Sequence, residues 1–247
     1  MKLPPSSHER WGWQAKAPAP QACEPLGGEV GQTLSSVRRV ARPILFLALL
    51  AAATLHAADG PRLFYSRAFP GSQPAYLQIT LDKDGNGVYG EAPDDDFPLK
   101  FRLNEAETRQ VFALLEKLDY FKHPVESPAK VAFMGAKTLR YENGDQKREI
   151  QFNYTEDAAA REMQDWFERM ALSAQYCASL ERAAKYDKLG VPNVLSLLRS
   201  AMEHNRLVAK DQFLPMLDRI VKNETYMHAS RVSAAELAEA IRSPKSQ

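Results

Sequence analysis

Cysteine is scarce in this chain: its 247 residues hold two, Cys23 and Cys177. Histidine is nearly as rare, with five in all, and beyond residue 57 only His123, His204 and His228 remain. A structural or catalytic zinc site needs three or four ligands, usually with a closely spaced pair, and these histidines are far apart. No Gly-x-Ser-x-Gly elbow occurs, which removes the usual serine-hydrolase signature. MGAKTL (residues 134–139) falls short of a phosphate loop, because Ala136 separates Gly135 from Lys137 and no glycine opens the loop. No apolar run reaches the ~20 residues that span a bilayer. The formal charge of +1 leaves no excess to attract nucleic acid or an anionic membrane.

What is present begins with an address. VRRVARPILFLALLAAATLHAADG (residues 37–60) sets Arg38, Arg39 and Arg42 before an apolar run from Ile44 to Leu55, then small residues. A basic region, a short apolar core and a small-residue end are the marks of a secretory signal peptide, with cleavage after Ala57 or Ala58. The paired arginines match twin-arginine export poorly, and no cysteine follows the core to carry a lipid. Residues 1–36 are rich in Pro, Gly and Ser without apolar periodicity, so they read as a disordered leader. Signal peptides start close to their basic region, so this leader reads as a misassigned start, with the true one at Val30, Leu34 or Val37. Segment 37–57 is then the signal peptide, and no stable membrane anchor is expected after cleavage. Residues 1–57 hold six Lys/Arg and three Asp/Glu, leaving 26 and 28 beyond them. Cys23 departs with the leader, so Cys177 has no intrachain partner and is expected as a buried, inert thiol.

The remainder reads as an α+β domain over 58–173 and a helical region over 174–247. In AYLQITL (75–81), Tyr76, Gln78 and Thr80 face one way and Leu77, Ile79 and Leu81 the other, the period of a strand. VYGEA returns from it, and FPLKFRL (97–103) supplies a third strand. Asn104 and Glu107 are spaced as a capping box for a helix bearing Val111, Leu114, Leu115 and Leu118 on one face. GAKTLRYE and QKREIQFNY form a second hairpin about Asn143-Gly144, the strongest turn signal in the chain. Thr155 is the expected cap of a helix whose Met163, Trp166, Phe167 and Met170 make one stripe. The ββ(β)α-ββα order suggests a duplicated unit and a two-layer sandwich, antiparallel strands with helices on one face. Four further signals organise the tail: Gly190 as a C-terminal cap, Pro192 and Asp211 as helix starts, and Ser233 with Glu236 as a capping box.

One stretch raises a metal question. DKDGNGVYGEAP (82–93) places Asp82, Asp84, Asn86 and Gly87 where a calcium loop needs them, but the twelfth position is Pro93 instead of a bidentate Glu. The flanks read as strands, so a hairpin turn is the leading expectation, with Asp82, Asp84 and Asn86 kept as weak metal candidates. Asp94 with Asp96 could pair for acid–base work, although clustered Asp before Pro98 more often forms a solvated loop. Tyr120, Phe121, Phe133, Tyr141, Phe152 and Tyr154 could line a groove, but alternate residues of a half-buried sheet face the core. No cofactor pattern and no catalytic set emerges. The expectation is an exported, non-enzymatic binding protein of the bacterial envelope or exterior, with an unknown protein or small-molecule ligand as partner. The alternatives are a secreted hydrolase whose carboxylates converge only in the fold, and a calcium-stabilised exported protein.

Overall fold

The computed structural model describes residues 60–243; the leader and signal segments lie outside them. The architecture is α+β: a six-stranded, wholly antiparallel sheet with helices on one face, followed by a helical C-terminal part. Strands β1 (Arg62–Ala68), β2 (Tyr76–Asp82), β3 (Asn86–Gly90), β4 (Leu99–Arg102), β5 (Ala136–Asn143) and β6 (Gln146–Phe152) lie in the order β4-β3-β2-β1-β5-β6.

Strand β1 corrects the sequence reading, which began the sheet at residue 75. RLFYSRA is the central strand, pairing with β2 on one side and β5 on the other. It joins the two hairpins, so the sheet is not two copies of one ββα unit. Its alternation is plain once seen: Leu63 and Tyr65 are fully buried, and Phe64 and Ser66 face away.

Period-two alternation stacks the inward residues into rows. One row runs Leu99, Tyr89, Ile79, Tyr65, Leu139, Ile150, and the next runs Leu77, Arg67, Lys137, Phe152. Apolar residues fill the first row, whereas the second places two cations against the helical layer. Over this face lies α1 (Glu105–Lys117), opened by the Asn104/Glu107 capping box as expected. A 3-10 turn (Asp119–Phe121) in left-handed backbone ends it before Pro124. Beside it α2 (Ala158–Tyr186) inserts Met163, Phe167 and Met170, all without exposed surface, and Trp166 at 5 % exposure. Tyr65 stacks on Phe167 with ring centroids 5.0 Å apart.

Helix α2 is long enough, at 29 residues, to serve two cores. Its residues through Ala174 join the sheet core, and from Leu180 onward they join a second core. That core is shared with α3 (Val191–Glu203), α4 (Leu214–Lys222) and α5 (His228–Arg242). A strap ties the two together. Leu207 enters the helical core and Val208 and Ala209 the sheet core; Ser173 Oγ accepts from Val208 N at 3.0 Å.

Four helix-end readings shift. Asp157, not Thr155, caps α2, accepting from Ala160 N at 2.8 Å. Buried Thr155 accepts from Asp157 N two residues earlier, so it orients the capping residue. Gly190 begins α3 instead of closing α2, whose C-cap is Asp187. Asp211 lies in a 3-10 turn (Lys210–Phe213), and α4 starts without a side-chain cap. Ser233 and Glu236 sit inside α5, which opens at His228. Spacing i, i+3 marks one helix face as well as it marks a cap, and here both side chains meet Arg199 of α3, at 3.1 and 2.6 Å.

Candidate functional site

Two concave regions flank the α+β layer, and they differ in how far their charges are engaged. The first lies between α2 and the sheet end that carries Arg67 and Lys137. It comprises two openings of about 260 and 200 Å³ that share Glu168 as a wall. Every charged side chain that β1, β5 and α2 turn toward it, Arg161 apart, is engaged. Glu168 lies 3.9 Å from Arg67 and accepts from Gln164 Nε2 at 2.8 Å. Asp165 meets Arg206 of the strap at 2.5 Å and Arg169 at 2.9 Å, and Arg169 in turn lies over the Trp166 ring at 4.1 Å.

Lys137 is the most committed of these side chains. It is 4 % exposed, and its ammonium donates to the carbonyls of Met134, Gly135 and Asn153 at 3.2, 3.2 and 2.7 Å. An ammonium has three protons, and all three are used. Burial pushes its pKa below the ordinary lysine value, but a fully satisfied, buried amine is a staple for the loop before β5. Asn153 completes the staple, accepting from Met134 N and donating to Ala132 O. Beneath the cleft the Tyr65 hydroxyl is buried with no hydrogen-bond partner among the described residues, and burial raises its pKa, with Glu168 adding to the effect.

The second region is a groove around the start of α1. Two cavities of about 430 and 700 Å³ share Arg102, Leu103 and Asn104 and so form one continuous surface. The β2–β3 turn contributes Lys83 and Asp84, β4 contributes Arg102, and the turn before α4 contributes Lys210 and Asp211. None of these five side chains has an ion pair or a hydrogen bond among the described residues. The floor between them is apolar, with Leu103, Phe112 and Ile241. Glu107 crosses it: its carboxylate accepts from Asn104 N at 3.1 Å and from Ala209 N at 3.2 Å, joining the helix cap to the strap.

The calcium-like stretch borders this groove. Asp82 Oδ1 accepts from the backbone N–H of Asp84 and Asn86 at 3.0 and 2.8 Å, and Oδ2 accepts from Asn86 Nδ2 at 2.9 Å. Both oxygens therefore hold the turn's own backbone, an Asx arrangement. Asn86 spends its amide on Asp82, while Asp84 points free. Gly85 carries the positive φ (+84°), and Gly87 lies under the Phe101 ring. No group of three or more His, Cys, Asp or Glu side chains able to hold a metal occurs among the described residues.

Other singled-out residues disperse. Asp94 and Asp96 are exposed, and it is Asp95 that organises their loop, accepting from Glu91 N and Phe97 N at 2.9 Å each. Those two donors hold its carboxyl below the usual range. Phe121, Tyr141 and Phe152 are core; Phe133 is 58 % exposed and meets Phe69 edge-on. His123 follows the 3-10 turn after α1, His204 ends α3 and His228 begins α5. Sequence reasoning missed Arg102, Lys210 and Asp211 as a set, since they converge only through the strap. The one available signal was negative: neither Lys210 nor Asp211 has an opposite charge at helical spacing. Comparison with known proteins adds no relative: no protein-family model matches this chain, and no curated protein matches it at a significant level.

Proposed function

We propose that this is an exported binding protein of the cell envelope or exterior that recognises a charged polypeptide segment through the groove at the start of α1. The observation that carries the reading is the set of five charges without a partner among the described residues, Lys83, Asp84, Arg102, Lys210 and Asp211, gathered over an apolar floor. Charged side chains on a concave surface with no internal use are free to pair across an interface, where they set register and partner choice. Both signs are present, which suits a segment carrying both. The two parts, about 430 and 700 Å³, are large enough to receive several side chains of a bound segment. Export rests on the basic, apolar and small-residue succession of residues 37–57. The engaged carboxylates of the other cleft favour binding over hydrolysis, because Asp165 and Glu168 already face guanidinium groups.

A cross-linking pull-down from the native envelope fraction tests this reading, comparing the wild type with Arg102→Glu/Lys210→Glu. A partner captured by the wild type and lost by the folded variant supports it; a partner retained equally by both refutes the groove. Mass spectrometry of the native protein tests export separately. The expected N-terminus is Ala58 or Asp59, and intact residues 1–36 would overturn it.

A further inference from the structure

Two Asn-Gly pairs occur in the sequence, Asn86-Gly87 and Asn143-Gly144, and the fold treats them differently. From that difference we infer that Asn143 is a site of spontaneous deamidation while Asn86 is protected. The chemistry needs three things: a carboxamide free to turn, a following backbone nitrogen free to attack, and no side chain in the way. The Gly144 nitrogen, losing its proton to solvent base, bonds to Cγ of Asn143, and ammonia leaves. Water then opens the resulting succinimide at either carbonyl, giving aspartate or the β-linked isoaspartate. The net change is amide plus water to carboxylate plus ammonium, so no further reactant is required.

At Asn143 all three conditions hold. Gly144 is the first residue of the two-residue β5–β6 turn, at φ +56°, and nothing lies within 4 Å of where a Cβ would stand. Among the described residues the exposed Asn143 carboxamide has no hydrogen-bond partner, and neither has the Gly144 N–H. At Asn86 each condition fails. Its backbone N–H and its carboxamide both donate to Asp82, at 2.8 and 2.9 Å. Gly87 is buried in mid-sheet, paired with Leu81 on β2 and Phe101 on β4, and the Phe101 ring covers it. Bringing the Gly87 nitrogen onto the Asn86 side chain would break both the clamp and the ladder.

Deamidation at 143 would place a new carboxylate beside Glu142, which already pairs with Arg140 at 2.8 Å. The isoaspartate form also lengthens the backbone at the point where turn geometry fixes the register of edge strand β6. The test ages the folded full-length protein in mildly alkaline buffer, digests it with trypsin and analyses the peptides by mass spectrometry. Peptide Tyr141–Lys147 is expected to convert, in aspartate and isoaspartate forms, while Asp84–Lys100 stays intact. In denaturant the two should convert alike, since the local sequence chemistry is the same. Equal conversion of both peptides in the folded protein, or an unchanged Asn143, would overturn the inference.

Discussion

The cleft beside α2 and the groove beside α1 are similar in kind, both open, polar-rimmed concavities against the same sheet. In the cleft, Arg67, Lys137, Asp165, Glu168, Arg169 and Arg206 all have partners within the protein. In the groove, Lys83, Asp84, Arg102, Lys210 and Asp211 have none among the described residues, while at its edges Glu105 pairs with Arg109 and Arg242 with Asp218. A charge held by internal partners acts on the stability of the fold, whereas a charge without them acts on whatever meets the surface. Exposed ion pairs contribute little singly, ~0–1 kcal/mol, so the contrast is sharpest where the paired side chains are also buried. Substitutions on the cleft side should therefore register as lost stability, and those on the groove side as lost binding at unchanged stability.

The largest effect belongs to the residue under the cleft's ion pairs. Trp166 is 5 % exposed and carries Arg169 on its ring. Trp166→Ala removes a buried ring and should cost ~3–5 kcal/mol, read as a shift in urea midpoint at constant slope. A near-wild-type midpoint would mean the cleft side does not hold the fold and would break the comparison. Next comes Lys137→Met, which keeps the apolar stem and deletes the donors to three carbonyls. Leaving the buried Gly135 carbonyl unpaired costs ~1–3 kcal/mol. The loss should be accompanied by faster amide exchange in residues 131–135. Retained stability would show that the loop does not need its staple.

The sheet was legible wherever alternation ran beside a turn signal: Leu77, Ile79 and Leu81 face inward as read, and Asn143-Gly144 makes its hairpin. β1 was hidden because it has no local turn partner before it; its identity as central strand comes from pairing with β5 some seventy positions on. Cap spacing found Asn104 with Glu107, where the helix has nothing before it, and misplaced Ser233 with Glu236, where the helix had already begun. The groove was half legible. Lys83 and Asp84 were in view through the calcium-like stretch, but Lys210 and Asp211 reach them only because the strap inserts Val208 and Ala209 into the sheet core.

Within the groove region itself the same rule separates Asp82 from Arg102 and Lys210. Asp82 accepts three hydrogen bonds from the turn it begins, so Asp82→Ala should cost ~1 kcal/mol, the usual worth of such a capping side chain. Arg102→Ala and Lys210→Ala, singly or together, should stay within ~0.5 kcal/mol, as surface changes without partners do. A drop of several degrees in the double variant would show that these charges have a structural use and would erase the distinction between the two regions.

The smallest expected effect is at Asp84, and it also decides the calcium question. Asp84 is exposed, its side chain bonds to nothing among the described residues, and it lines the groove. Asp84→Asn should leave the melting temperature unchanged, because no native contact is lost. Were DKDGNG a calcium site, Asp84 would be its ligand at loop position three, and saturating calcium would stabilise the wild type by ~2.7 kcal/mol at a hundredfold excess over the dissociation constant. The geometry opposes this, since Asp82 has already committed both oxygens to N–H donors and Asn86 turns its NH2 toward Asp82. Melting curves of wild type and Asp84→Asn, each with calcium and with chelator, should therefore superimpose as four. A calcium-dependent rise in the wild type that the variant lacks would move Asp84 from the groove's free charges to a metal site, and the turn's hydrogen bonds to Asp82 would have to open to admit the ion.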